Sequence, residues 1–468
     1  SPNAITHVCI LKACGNTGAI EKGKEIHALV SKGGFEGDIF IGSTLVDMYA
    51  ACGSLSEAEK VFRDLHARDV VSWTALIGGY LEHGLDEEAI ICLDQMQQEG
   101  ISPNGITFVC SLKACACIGA LIKLQEFHSK IAQLRLLEKD IVLANTLIDI
   151  YVKFRLVDKA REVFDKLLIR DVVSWTALIS GYAENGQTEE ALKSFEKMCL
   201  EGIPPDAVTY ACCLKACDGI GAIDEGRILH EKLASDGFES EISISNTLIG
   251  MYAKCGLLLE AEDVFYSLPA RNVVSWTALI AGYTEHGSGQ DVLKHFEQMQ
   301  HDGITPNEVT YCCVLKACGI IGAAGKGQEI HLEISQKGVE LRDMSLGKTL
   351  VGMYTKCGLL SKAQDVFDKL VIRDVMSWTS MISGYAEHGF GHEALICLDQ
   401  MRREQVDLNA ISYVCAIKAC GSIGVLAKSY KLHAEIIFKG FEQEISVANS
   451  LISTYAKCGA FEEAWLIF

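Results

Sequence analysis

At 468 residues, 49% of them apolar and only 6 of them proline, the chain is long enough for several ordinary domains and too rich in core-forming side chains to be disordered. Gly, Lys, Glu or Asp breaks every apolar run before the eighteen or so residues needed to cross a bilayer, which excludes a membrane-spanning helix. The net charge of −19 excludes a generally basic polyanion binder, so a nucleic-acid site would have to be local.

In chain order, residues 4–38 and 39–69 each read as a helix, a glycine-bearing turn and a second helix. The pattern is plainest in residues 70–104. There Trp73, Leu76, Ile77 and Tyr80 follow i, i+3, i+4, i+7 and draw one apolar stripe on a first helix. Gly84 supplies its stop. Ala89, Leu93 and Met96 stripe a second helix, which Gly100 and Pro103 end.

The same grammar continues through residues 105–140, 141–171, 172–206, 207–241, 242–272, 273–307, 308–343, 344–374, 375–409 and 410–444, and opens again at 445–468. Trp73, Trp175, Trp276 and Trp378 recur every 101 or 102 residues, as do Lys12, Lys113, Lys215, Lys316 and Lys418, and Tyr49, Tyr151, Tyr252, Tyr354 and Tyr455. That period is too long for one supersecondary unit and divides into three hairpins of 31, 35 or 36 residues. No hairpin buries its stripe alone. The expected fold is therefore all-α: a right-handed superhelical solenoid of stacked helix-turn-helix motifs with a long concave face. The sequence begins at Ser1 without Met and stops at Phe468 partway through a motif, so it is expected to be a segment of a longer protein.

The 20 cysteines fall at recurring helical places. Cys14, Cys115, Cys217, Cys318 and Cys420 share one, and Cys52, Cys255, Cys357 and Cys458 another, where Phe154 replaces the missing member. A Cys exchanged for Phe is a buried apolar residue, which argues for packing, a reducing compartment and no metal.

Three strings carry a resemblance. They are LKACGNTGAIEKGKEIHALV, LVDMYAACGSLSEAEKVF and VVSWTALIGGYLEHGLDEEA, from the first three segments. They resemble the L-, S- and P-type motifs of the plant-type PLS subclass of pentatricopeptide repeat proteins. The order L, S, P runs four times across the chain, then L and a truncated S. A tetratricopeptide array, a scaffold for protein partners, is the nearest alternative because Trp73, Leu76, Tyr80 and Ala89 lie close to its signature. The 31-residue segments and the Pro-Asn or Pro-Asp that closes P-type segments argue against it.

The resemblance implies that the fifth and last residues of a motif together select one RNA base. A terminal Asp only accepts hydrogen bonds, which suits G or U, whereas Asn both donates and accepts, which suits A or C. Thr or Ser at the fifth place goes with purines and Asn with pyrimidines. On this basis Thr74 with Asn104, Thr277 with Asn307 and Thr379 with Asn409 read A, and Thr176 with Asp206 reads G. Ser43 with Asp69 reads G, Asn145 with Asp171 reads U, and Asn246 with Asn272 reads C. Asn449 favours a pyrimidine. Lys348 with Asp374 fits no familiar pairing, and Val8, Val109, Ala211, Cys312 and Val414 leave the L-type motifs unread. The expected ligand is single-stranded RNA, 5′-NGANUGNCANNAN-3′. As plain structure, each pair is also a helix-start polar residue and a turn-closing Asx.

Lys153, Lys254, Lys356 and Lys457 share an S-type place and either meet phosphates or cap helix C-termini; Glu82, Glu184, Glu285 and Glu387 stand at the equivalent P-type place. His27, His128, His230, His331 and His433 read as packing residues. Many PLS-type proteins carry a C-terminal zinc deaminase needing His-x-Glu and Pro-Cys-x-x-Cys. His331 with Glu333 and His433 with Glu435 spell only the first half, and no Cys-x-x-Cys occurs. No catalytic residue, cofactor or metal is expected. The reading reached is an RNA-binding targeting portion of a mitochondrial or chloroplast C-to-U editing factor, with editing-complex proteins as partners. A transcript-stabilising or processing factor without editing is the alternative.

Overall fold

The computed structural model describes residues 3–35, 38–220, 222–337 and 344–468. The segment end expected at residue 343 lies outside them. Among the described residues there are twenty-eight α-helices and no strand. They divide between two compact units, Ser1–Asp236 and Gly237–Phe468.

The reason these stretches are helical is local. Asp69 caps Val70–Glu82: its Oδ1 accepts from the Ser72 N–H at 2.9 Å, and the Ser72 hydroxyl accepts from the Asp69 N–H at 3.0 Å. The helix ends just before Gly84, whose φ of 71° suits a residue without Cβ, and Asp86–Gln98 follows. The stripes of both helices are buried: Trp73, Leu76, Ile77 and Tyr80 on the first, Ala89, Leu93 and Met96 on the second. First helices begin at residues 4, 39, 70, 105, 141, 172 and 207 in one unit and at 242, 273, 308, 344, 375, 410 and 445 in the other.

Within each unit the first helices form one layer. Ala4–Thr17 packs on Ile39–Ala51, that on Val70–Glu82, and that on Gly105–Ile118. Second helices form the other layer, as Asp86–Gln98 does by packing on both Val70–Glu82 and Gly105–Ile118. Each of the four recurring tryptophans meets a phenylalanine of the preceding segment edge-on, 4.6 Å from Phe62 to Trp73 and 4.7 Å from Phe367 to Trp378. Arg68 and Arg373 lie over those same Phe rings, 5.0 Å from the centroid in each case. First helices approach closely at a recurring glycine: a Cβ at Gly282 would stand 2.3 Å from the Ala253 Cβ.

All twenty cysteines are free. Cys115, Cys217, Cys318 and Cys420 are fully buried, and the Cys52 and Cys357 thiols donate to the carbonyls of Cys14 and Cys318 at 3.6 and 3.7 Å. The two recurring places therefore adjoin across neighbouring first helices. Among the described residues no helix is long and apolar enough to cross a membrane, and no group of three or more His, Cys, Asp or Glu is placed to hold a metal.

Candidate nucleic-acid interface

Every terminal residue of the P- and S-type segments is the N-cap of the next first helix, which places it beside the fifth residue of its own segment. In three of the four complete S-type segments the contact is direct. Ser43 Oγ lies 3.5 Å from Asp69 Oδ1, Asn145 Nδ2 donates to Asp171 Oδ1 at 3.2 Å, and Lys348 Nζ donates to Asp374 Oδ2 at 2.7 Å. Burial opposes ionisation of Asp171, but the Ser174 donors and Asn145 outweigh it and hold its carboxyl below the usual range. At Asp374 burial is likewise outweighed, by the Lys348 ammonium and the Ser377 donors. Asn272 caps through the N–H groups of Val274 and Ser275, while the Asn246 Oδ1 and Asn145 Oδ1 are buried without a partner.

In the P-type segments a hydroxyl stands between the two. Thr74 Oγ1 is 2.7 Å from Thr107 Oγ1, which is 2.9 Å from Asn104 Oδ1. The relay repeats from Thr176 through Thr209 to Asp206 at 2.6 and 2.8 Å, and from Thr277 through Thr310 to Asn307 at 2.7 and 2.9 Å. Ser412 takes the middle place between Thr379 and Asn409, at 2.8 and 2.7 Å. The four middle hydroxyl residues are fully buried.

One expectation from the sequence changes here. Asn104 does not offer both a donor and an acceptor, because its Oδ1 already meets the Thr107 N–H and hydroxyl, each at 2.9 Å. What remains is Nδ2, a donor. At Asp206 the corresponding atom is Oδ2, an acceptor, since Oδ1 is engaged by Thr209. Capping thus consumes the atom that Asp and Asn share and leaves the atom by which they differ.

Two stretches of groove in the first unit collect these residues. One is lined by Ser43, Asp69, Thr74 and Asn104 together with Lys12, and the other by Asn145, Asp171, Thr176 and Asp206 with Lys113 and Lys153. Lys153 also pairs with Asp149 at 2.9 Å; Lys254, Lys356 and Lys457 are exposed. Val8, Val109, Ala211 and Val414 are half-buried and Cys312 is buried.

Sequence reasoning overlooked two sets of first-helix residues, of which Lys12, Lys113, Val71 and Val173 line the two stretches of groove. Lys12, Lys113, Lys215, Lys316 and Lys418 are exposed, and among the described residues none forms an ion pair. Their position four residues beyond an L-type fifth residue, hence on the same helix face, was the available signal. The second residue is Ser243, Ser345 or Ser446 in three of the fourteen first helices and an exposed apolar one in the other eleven, including Phe40, Val71, Ile106, Val142, Val173 and Val208. These sit out of phase with the buried stripe, which is the mark of an apolar surface put to another use.

The recurring histidines belong to the framework. Nδ1 of His27, His128, His331 and His433 hydrogen-bonds the hydroxyl of Tyr49, Tyr151, Tyr354 and Tyr455 at 2.7–3.0 Å. Glu333, beside His331, accepts from Tyr311 and Lys337. The His-x-Glu spelling there joins two packing contacts.

Family models of the PPR repeat match residues 68–117, 170–218, 271–319 and 373–422, and residues 43–70, 142–172, 243–273, 348–375 and 446–468. A chloroplastic pentatricopeptide repeat-containing protein of Arabidopsis thaliana is 34% identical over 416 residues, 89% of this chain and 67% of that one. The chain belongs to the pentatricopeptide repeat family. That membership decides between the two repeat families weighed on sequence. Two other Arabidopsis thaliana pentatricopeptide repeat-containing proteins, one chloroplastic and one mitochondrial, are 32% and 31% identical over 97% and 98% of this chain. The chain spans about half of their length, 56% and 45%. The crystal structure of the maize pentatricopeptide repeat protein PPR10 superposes with a TM-score of 0.71 at 18% identity, over 99% of this chain and 73% of that one. The same maize protein in complex with an 18-nt psaJ RNA element gives 0.58 at 20% identity, over 100% and 74%. The pentatricopeptide repeat fold is therefore common to both.

Proposed function

We propose that this chain binds single-stranded RNA in a sequence-specific way, one motif to one base, and serves as the targeting portion of a C-to-U editing factor in a chloroplast or mitochondrion. The reading treats the fourteen segments as one PLS-type array running from residue 4 to 468. One observation carries it: capping spends Oδ1 of each terminal side chain, so the remaining atom is an acceptor in Asp and a donor in Asn. An acceptor suits the ring N–H of G or U, and a donor the ring nitrogen of A or C. Seven of the eight complete P- and S-type pairs are joined directly or through one hydroxyl, so fifth and terminal residues act as units.

The other groove residues supply what base reading lacks. Exposed apolar side chains such as Val71 and Val173 offer flat contact for bases, and the unpaired L-type lysines offer cations to phosphates in an otherwise acidic chain. The maize relative solved with an RNA element and the chloroplastic and mitochondrial relatives support ligand and compartment. No catalytic step is assigned to this chain, and editing-complex proteins are its proposed partners.

The test is equilibrium binding at moderate salt to 5′-NGANUGNCANNAN-3′, to a scrambled RNA of the same composition, and to DNA of the same length. Preference for the first supports the reading. Equal affinity for the scrambled RNA overturns it.

A further inference from the structure

We propose that the third residue of each L-type first helix that follows a P-type segment, namely Thr107, Thr209, Thr310 and Ser412, is a positioning residue for base selection. The inference rests on the base-reading proposal above and adds a residue that belongs to the neighbouring motif. Each of these hydroxyls is fully buried and sits between a fifth and a terminal residue.

The S-type junctions are wired differently. There the third-residue hydroxyl bonds the capping residue and not the fifth residue: Ser72 meets the Asp69 backbone at 3.0 Å, Ser174 and Ser275 meet Oδ1 of Asp171 and Asn272 at 2.9 and 3.1 Å, and Ser43, Asn145 and Lys348 reach the terminal carboxylate unaided. Only at P-type junctions does the hydroxyl link both reading residues, with Thr74 sharing its single proton between Thr107 and its own Val70 carbonyl at 2.6 Å.

What the hydroxyl controls is rotation of the terminal side chain. Asn104 is tied by two donors from one residue, the Thr107 N–H and Oγ1, so its amide cannot turn. Removing the hydroxyl leaves one backbone hydrogen bond, and the amide can swing to show the ligand Oδ1 as well as Nδ2. An Asn that shows either edge accepts from G as readily as it donates to A. Asp206 behaves otherwise, because both of its carboxylate oxygens accept and a swing changes nothing that a base can sense. The consequence is an asymmetry between two junctions of the same geometry.

Thr107→Val keeps the shape and deletes the hydroxyl. In the full chain it should lower the A-over-G affinity ratio at the third nucleotide of the predicted RNA by about tenfold, the size of one mismatched position, while affinity for the A-containing RNA stays within a few-fold. Thr107→Ser should restore the ratio, as Ser412 already serves at the fourth junction. Thr209→Val should leave the G preference at the sixth nucleotide unchanged. Thermal melts of all three variants confirm folding. If wild type discriminates at the third nucleotide and Thr107→Val discriminates equally, the positioning role is overturned and base reading stands. If Thr107→Val and Thr209→Val both lose affinity for every base alike, the hydroxyl is structural only and the proposal is likewise overturned. A wild type indifferent at both nucleotides overturns base reading and this inference together.

Discussion

A Cβ on Gly256 would stand 3.3 Å from Cε1 of His286, whose Nε2 bonds the Ala253 carbonyl at 2.8 Å. The same relation holds between Gly358 and His388, at 3.2 Å, with Nε2 2.9 Å from the Thr355 carbonyl. In the second repeat set both partners differ. Arg155 replaces the glycine at a φ of 58°, and the smaller Asn185 replaces the histidine and bonds the Gly181 carbonyl. Asn185 leaves room for the Cβ, but nothing removes the backbone strain of a left-handed arginine.

Arg155→Gly should therefore stabilise the protein by about 0.5–1 kcal/mol, read as a higher denaturant midpoint at constant slope. Asn185→His should be costly alone and tolerated beside Arg155→Gly. A double-mutant cycle that gave additive effects would refute the steric link.

Asp206→Asn should fold normally, since Asn104, Asn307 and Asn409 cap equivalent helices. Exchanging Oδ2 for Nδ2 should move the preference at the sixth nucleotide from G to A by about 1–3 kcal/mol, with neighbouring positions unchanged. Binding to the four single-base RNAs decides it; a uniform loss for all four would make Asp206 a turn residue only.

Lys348 closes its motif by holding Asp374 Oδ2 at 2.7 Å, the atom left open at Asp171 and Asp206. Lys348→Asn should reproduce the Asn145–Asp171 pair and create a preference for U at the eleventh nucleotide, where Lys348 with Asp374 fits no familiar pairing. The lost ion pair is partly exposed and should cost no more than about 1 kcal/mol. Absence of any new preference would mean that the lysine is not what silences this motif.

Burial, helped by Lys166 and Lys159, holds the His128 imidazole below its ordinary value, and burial does the same at His433. A folded value below the unfolded one means that the folded state binds fewer protons. Their contribution is thus complete above about pH 6.5 and is lost as the pH falls from there through the lowered values. Melting temperature should drop between pH 7.5 and 5.5, and His128→Gln with His433→Gln should flatten that drop. An unchanged slope in the double variant would show that other groups set it.

The L-type lysines should act without regard to sequence. Lys113→Ala should weaken binding to cognate and scrambled RNA by the same factor and reduce the salt dependence by about one unit of slope. A change in base preference instead would place Lys113 against a base.

Helices and their stripes were legible because they rest on residues within one or two turns, and so were the caps, since Asp69 and Ser72 are three residues apart. The pairing of fifth and terminal residues came only from family resemblance. The relay from Thr74 to Thr107 spans 33 residues and depends on how one first helix sets against the next, which no local pattern encodes. Val71 and Ile106 were passed over for a related reason: a periodicity search credits apolar residues in phase with the stripe, and these lie out of phase.

The double duty proposed for the capping residues bears on how such a chain would change its target. All eight complete P- and S-type segments end in Asp or Asn, whereas L-type segments also end in Glu241 and Glu444, which make no side-chain cap. Asp and Asn cap helices about equally well, so on the proposed base reading one can replace the other with little effect on folding. Aspartate and asparagine codons differ at a single nucleotide, so one transition in the gene exchanges an acceptor for a donor without passing through a chain that cannot fold. Under the proposed reading, retargeting can then proceed one motif at a time, each step nearly neutral for stability.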